Sequence, residues 1–243
     1  MKSRKELMEG YLDEVIGQLN LVVNVEQIAK LVMFDEFLLS YNERMNLTRI
    51  VDPVEVAVKH FADSLTVLSH TNIRPNSSVV DVGAGAGFPG IPLAIVRTDL
   101  RVTLIDSLRK RTVYLAELVD YLKLTNVNIV WARAENIGHD VGFRERYDVA
   151  VARAVAPLNV LSELCLPLIK VGGSFIAYKG PRSDEETRNA ATAFHLLGGR
   201  LDSIISVILP ILDDPRSLVH VVKKYATPRL YPRKAGIPER QPL

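Results

Sequence analysis

Two hydrophobic rhythms divide this chain. Over roughly the first seventy residues, apolar positions recur every three or four, the period of a helix with one buried face. Asn24, with Gln27 three residues on, is a capping-box pair that opens one such helix, and Ile28, Leu31, Leu38, Tyr41 and Met45 follow at helical spacing. A second start is Asp52, with Pro53 at the first helical position and Glu55 behind it. The pattern then changes to short, β-branched runs: SVVDV, RVTLID, VNIVW, YDVAVA and GSFIAY, each separated from the next by a helical pattern or a loop. Such alternation predicts a parallel sheet covered by helices on both faces. Near the end, LDSIISVILPI and SLVHVVKKY flank the turn-rich LDDPR and predict an antiparallel pair. The expected fold class is α/β, a doubly wound, mostly parallel sheet with an antiparallel strand near its C-terminal edge. An N-terminal helical extension over 1–72, a catalytic domain over 73–225 and a basic tail over 226–243 complete the expected organisation.

In sheets of this kind ligands bind beyond the carboxyl ends of the strands, where the strand order reverses. The stretch VVDVGAGAGFPGIPLAIV, residues 79–96, lies there. Gly83, Gly85 and Gly87 permit a tight turn and remove side chains that would hold a ligand off the backbone. Gly85 to Gly90 also reads as a GxGxxG, the weak signature of a nicotinamide site, but there the helix begins within the glycines, whereas Pro89 and Pro92 push the helix start here to about Gly90 or later. Asp81, just ahead of the loop, suits a cationic, amino-acid-bearing ligand better than a pyrophosphate. At the next strand end Asp106 follows Gly85 by 21 residues, the spacing of an acceptor for two ribose hydroxyls. After the third strand, Ala134 and Glu135 offer an amide and a carboxylate to an adenine edge. Together these point to S-adenosylmethionine rather than NAD.

Composition narrows the setting. At 243 residues, 48% hydrophobic and 24% charged, the chain has material for a sizeable core. Its single cysteine, Cys165, excludes an internal disulfide and sits in an apolar helical pattern. The start MKSRKELMEGYLDEVIGQLN mixes carboxylates with apolar residues, unlike a signal peptide, and the longest apolar run, IISVILPIL, is too short and proline-broken to span a bilayer. A cytoplasmic protein without a membrane partner is expected. The formal net charge is +2, yet Lys223, Lys224, Arg229, Arg233, Lys234 and Arg240 face Glu239 alone, so the last stretch carries +5 and the remainder −3. A polyanionic partner must then be met by local clusters. Arg109, Lys110 and Arg111 after the second strand, and Lys179 and Arg182 after GSFIAY, are the candidates for such contacts.

VVDVGAGAGFPGIPLAI, LIDSLRKRTVYLAEL, ARAENI, VARAVAPL and the Tyr178-Lys179-Gly180 step closely resemble the bacterial guanine-N7 methyltransferases of small-subunit ribosomal RNA, the RsmG or GidB family. YNERMNLTRI with KHFADSL resembles that family's N-terminal signature, and TPRLYPRKAGIPERQPL the tail of many members, so the resemblance covers nearly the whole chain. Two positions depart from it: Tyr41 stands where many members have tryptophan, and Val155 where an aromatic is often found. Position by position, the resemblance implies cofactor contacts at Gly83, Phe88, Ala134, Glu135 and Arg153; Arg153 is a candidate for contact with cofactor, substrate or both, and for a positioning role in catalysis. Phe88 reads equally well as a core aromatic.

The resemblance also implies methyl transfer from S-adenosylmethionine to guanine N7 of 16S ribosomal RNA. That nitrogen carries an in-plane lone pair and no proton, so no general base and no metal are required, and catalysis reduces to orientation. Other nucleophiles fit less well: no [DN]PPY tetrapeptide is present for an exocyclic amine, and Cys165 lacks the setting of a nucleophile for cytosine C5. His70, His139, His195 and His220 are scattered, while His60 in KHFADSL reads as a packed helix histidine bordering the pocket. A methyltransferase acting on a small molecule or protein is the main alternative; an NAD-dependent oxidoreductase, for which no Tyr-x-x-x-Lys is present, and a non-enzymatic RNA-binding module rank below it. The ribosomal small subunit or its RNA is the expected partner, met by a monomer.

Overall fold

A computed structural model describes residues 2–181 and 183–243. Four helical segments come first: α1 (Arg4–Gln18), α2 (Val25–Met45), α3 (Pro53–Val56) and α4 (Asp63–His70), with a π-helical stretch over Ala57–Ala62 joining the last two. The start signals operate as expected. The Asn24 side chain accepts from the Gln27 amide while Gln27 accepts from that of Asn24, both at 2.9 Å. Asp52 Oδ1 takes the amides of Val54 and Glu55 around Pro53.

The sheet follows: β1 (Ser78–Val82), β2 (Arg101–Asp106), β3 (Val127–Trp131), β4 (Tyr147–Arg153), β5 (Ile169–Lys179), β6 (Gly199–Leu209) and β7 (Asp214–Lys223), in the order β3-β2-β1-β4-β5-β7-β6. Strands β1 to β5 pair in parallel, whereas β7 runs antiparallel to both β5 and β6. The intervening helices are α5 (Gly90–Val96), α6 (Arg109–Tyr121), α7 (Ala134–Ile137), α8 (Leu158–Cys165), α9 (Ser183–Asn189) and α10 (Ala191–Leu196), and α11 (Ile237–Arg240) closes the chain. The expected strands are all present; β4 and β5 extend beyond the runs that marked them.

Strand alternation sorts side chains into two cores. Val79, Val149, Val151, Ile176 and Tyr178 join the N-terminal helices, α5 and α6 in one apolar cluster, while Val80, Val82, Ala150, Ala152, Phe175 and Ala177 pack on the other face with Leu158, Leu161 and Phe194. The N-terminal segment shares its core with the sheet, since Met8, Leu12, Leu31 and Phe34 are fully buried in the first cluster. By the same alternation Asp81, Asp106 and Arg153 lie at carboxyl ends of strands on the face that the N-terminal helices cover. Among the described residues, no helix is long and apolar enough to cross a membrane, and no group of three or more His, Cys, Asp or Glu side chains is arranged to hold a metal ion.

Candidate active site

The glycine loop after β1 is held by its own packing. Gly90, where α5 begins, donates its amide to Asp81 Oδ2 at 2.8 Å. A Cβ at Gly90 would lie 2.3 Å from Leu104 Cδ2 and 2.8 Å from Asp81 Oδ2, so only glycine lets the helix approach the sheet this closely. Asp81 is therefore wholly buried, with Oδ1 lacking a partner among the described residues, and burial pushes its carboxyl up to about 7 against the opposing pull of the Gly90 amide and Arg153. This differs from the expected presentation of Asp81 to a cationic ligand. A strand-end carboxylate beside a helix start can be consumed by that start, and here it is.

One cavity, of 220 Å³, opens at the carboxyl ends of β1, β2, β3 and β4. It brings together Gly83, Asp106, Ala134 and Glu135, four of the expected cofactor positions, with Ile105, Val160 and Leu164 as apolar wall. Gly83 has φ +78°, and a Cβ there would lie 2.6 Å from Val155 Cγ2, in the loop after β4. Asp106 is almost fully buried; its Oδ2 accepts from the Gly85 amide at 3.0 Å and its Oδ1 from the Leu108 amide at 2.8 Å. A carboxylate has about four acceptor sites, so lone pairs remain for hydroxyl donors. Gly85, Gly87, Asp81, Phe88 and Arg153 do not line this cavity: Gly85 acts behind it through Asp106, and Gly87 packs near Ile91, Phe34 and Leu115.

Phe88 is a core aromatic. Its ring stacks on Phe34 at 4.7 Å and on His60 at 4.6 Å, with Phe61 edge-on. Arg153 lies over the same ring and faces a second cavity, across the loop 154–156 from the first and lined by Lys59, His60, Asp63, Arg153, Tyr178, Lys179 and Arg216 among others. Its Nη1 donates to Asp63 Oδ2 at 2.8 Å and to the Lys59 carbonyl at 2.9 Å. Burial, followed by the Arg153 charge, lowers the His60 imidazole to about 3, which leaves it neutral. Its Nε2 lies 2.9 Å from Thr48 Oγ1. Asp63 escaped the sequence reading, although its position three residues after His60 in an otherwise apolar helical stretch places both on one face.

The basic clusters divide as well. Arg109 and Lys110 are exposed at the start of α6, with Arg109 over the ring of the exposed Trp131. Arg111 turns back toward Asp106, 3.5 Å away. Lys179 does not project to solvent as expected, because its Nζ donates to the Ala156 carbonyl at 2.9 Å and to Glu186 at 2.7 Å, tying β5 to the loop after β4. Arg182 lies outside the described residues. In the tail, Lys223 is buried and Arg233 is bound to Glu163, whereas Lys224, Arg229, Lys234 and Arg240 are exposed. The tail folds back over the carboxyl edge: Gly236 donates to Glu135 Oε1 at 3.0 Å, and Pro238 and Glu239 complete the wall of the first cavity. Neither contribution was anticipated, since no local pattern marks them. Cys165 is buried, and desolvation raises its thiol well above the usual range, so no thiolate is available.

Comparison with known proteins yields a consistent set. Residues 27–211 match a family model described as rRNA small subunit methyltransferase G. Ribosomal RNA small subunit methyltransferase G of Desulforamulus reducens is 46% identical, covering 92% of this chain and 99% of the relative. The protein of the same description from Alkaliphilus metalliredigens is 45% identical over 100% of both chains. Among solved structures, a SAM dependent methyltransferase from Aquifex aeolicus superposes with a TM-score of 0.54 at 18% identity, over 72% of this chain and 96% of that one, a likeness of fold.

Proposed function

The chain belongs to the rRNA small subunit methyltransferase G family, and from that membership we propose that it transfers a methyl group from S-adenosylmethionine to N7 of a guanine in small-subunit ribosomal RNA. The observation that carries this reading is the cavity uniting Gly83, Asp106, Ala134 and Glu135 at the strand order's reversal. Asp106 is the acceptor for the ribose hydroxyls, and the apolar wall of Ile105, Val160 and Leu164 receives the adenine beside Ala134 and Glu135. Bound S-adenosylmethionine supplies an electrophilic sulfonium methyl, taken up by the N7 lone pair as the carbon–sulfur bond breaks. Nothing has to remove a proton from N7, which agrees with the neutral, weakly basic His60 and with Lys179 already committed to Ala156 and Glu186. The protein's contribution is orientation by rigid strand ends, worth about 7–11 kcal/mol in favourable cases. Methylation of small subunits from cells lacking the enzyme, followed by nucleoside mass spectrometry, tests this: 7-methylguanosine is the expected product, and a methylated base of another kind would refute it.

Asp106→Ala removes the hydroxyl acceptor and the anchor of two loop amides. Cofactor affinity is expected to fall by about 1.5–3 kcal/mol, the range for hydrogen bonds to a charged group. Calorimetry with S-adenosylhomocysteine reads this directly, and unchanged affinity in the folded variant would remove Asp106 from the site.

Arg109 and Lys110 are the cations of the α6 start left facing solvent, where cations oppose the helix dipole and need another reason to be present. Removing a cation that neutralises one phosphate should reduce the salt slope of RNA binding by about 0.7–0.9. Arg109→Gln with Lys110→Gln is expected to weaken RNA binding and flatten its salt dependence while sparing cofactor affinity. A wild-type slope in the double variant would assign the RNA face elsewhere.

A further inference from the structure

The second cavity holds an unusual group. Asp63 is 4% exposed; its Oδ2 is engaged by Arg153, while Oδ1 is buried with no hydrogen-bond partner among the described residues. The guanidinium of Arg216 comes no closer to Oδ1 than 3.9 Å, beyond hydrogen-bond reach. A buried acceptor without a donor is destabilising, and this one lines a cavity of 410 Å³, ample for a nucleobase. The carboxylate is held in place by Arg153, itself fixed by the Lys59 carbonyl and the Phe88 ring. The cavity shares the loop 154–156 with the first one: Ala154 lines the second, Val155 and Ala156 the first.

We propose that Asp63 is a specificity-determining residue that binds the Watson–Crick edge of the target guanine, an assignment that rests on the guanine reading above. Guanine presents two adjacent donors there, N1–H and the N2 amine, which match a carboxylate with acceptor capacity left on both oxygens. Adenine and cytosine set a ring-nitrogen acceptor beside a single amine, and uracil flanks its one N–H with two carbonyls, so each would bring an acceptor against Asp63. Gripping guanine by this edge also leaves N7, across the ring system, free for methylation. The recognition element comes from the N-terminal helical segment, whereas the first cavity's walls come from the sheet ends, α7, α8 and the tail.

The test uses the full chain saturated with S-adenosylhomocysteine and three probes, GMP, IMP and AMP, measured by calorimetry and as competitors of RNA methylation. IMP lacks the N2 amine and AMP reverses the N1 hydrogen bond. The expected order is GMP over IMP over AMP, with AMP weaker than GMP by about tenfold or more. Asp63→Asn keeps size and an acceptor for Arg153 but sets an amide N–H2 where the open acceptor stood. It should weaken GMP by about tenfold, bring the GMP to AMP ratio toward one, and leave S-adenosylhomocysteine affinity within about twofold. Wild-type protein that binds GMP and AMP alike would overturn the proposal without reference to any variant, as would failure of GMP to compete at millimolar concentration. If 7-methylguanosine still forms in RNA in either case, the role of Asp63 fails alone. A different methylated nucleoside would overturn the guanine reading first and this proposal with it.

Discussion

Replacing Arg233 by alanine is expected to lower the free energy of unfolding by about 3–5 kcal/mol, the range for removing one partner of a buried ion pair. Glu163 on α8 has no exposed surface, and Arg233 supplies its main-chain amide at 2.7 Å, Nε at 2.9 Å and Nη2 at 2.6 Å to the two carboxylate oxygens. Alanine keeps the amide but strands the rest of a desolvated carboxylate. The loss also reaches the first cavity, because only two residues separate Arg233 from Gly236, which donates to Glu135, and Pro238 and Glu239 follow in the cavity wall. Urea unfolding reads the stability, and hydrogen exchange of the tail amides reads its release. The paired variant Glu163→Gln with Arg233→Met, which leaves no buried charge, should recover part of the loss. A single variant within about 0.5 kcal/mol of the parent would place this pair among surface-like contacts.

That ion pair illustrates what the sequence could and could not reveal. Periodicity, capping and strand composition are local signals, and they foretold the helices opening at Asn24 and Asp52, the seven strands and the helix start at Gly90, because each depends on residues within a few positions. Family motifs pointed to Gly83, Ala134 and Glu135, and the 21-residue spacing from Gly85 pointed to Asp106; all four line one cavity, since a parallel sheet carries all its strand ends to the same edge. Partner choice is different in kind. Glu163 and Arg233 are 70 residues apart, and Asp63 and Arg153 are 90 apart, so no spacing rule announces either pair.

Charge was the least legible property for the same reason. Six basic residues from Lys223 onward read as a cationic tail, yet Lys223 is buried beside the Leu166 carbonyl and Thr227, and Arg233 serves Glu163. Lys179 follows an exposed-looking strand end but is drawn inward by Glu186, which lies on α9. Counting charges gives the electrostatic sum; only packing tells which charges still face solvent. Arg109 and Lys110 are among the cations that stay on the surface, at the start of α6 with Arg109 over the exposed Trp131, and Trp131 donates its indole N–H to the carbonyl of Ser107 in the lining of the first cavity.

Asp81→Asn should reshape the dependence of stability on pH. In the folded chain the Asp81 carboxyl is raised from an ordinary value of 3.8 to about 7, chiefly by burial. Between those values the unfolded chain releases the proton that the folded chain keeps, so Asp81 favours folding fully only below about 4, and that contribution is lost as the pH climbs to 7. The difference amounts to about 4 kcal/mol. Asparagine accepts the Gly90 amide as the acid does but never ionises, so the stability lost between pH 4 and pH 8 should shrink by about that amount in the variant. A constant penalty for the amide N–H2 beside the unpartnered Oδ1 position does not alter this difference, which chemical denaturation at the two pH values measures. Cofactor affinity supplies the second readout, because Asp81 faces the start of α5 and not the cavity. Asp81→Asn should leave it within about threefold once the fold is intact. A loss of a hundredfold would return Asp81 to the role its sequence position first suggested, a carboxylate that meets the cationic end of the ligand. An unchanged pH profile would mean that Asp81 stays ionised in the folded chain, with a donor supplied to Oδ1 from solvent.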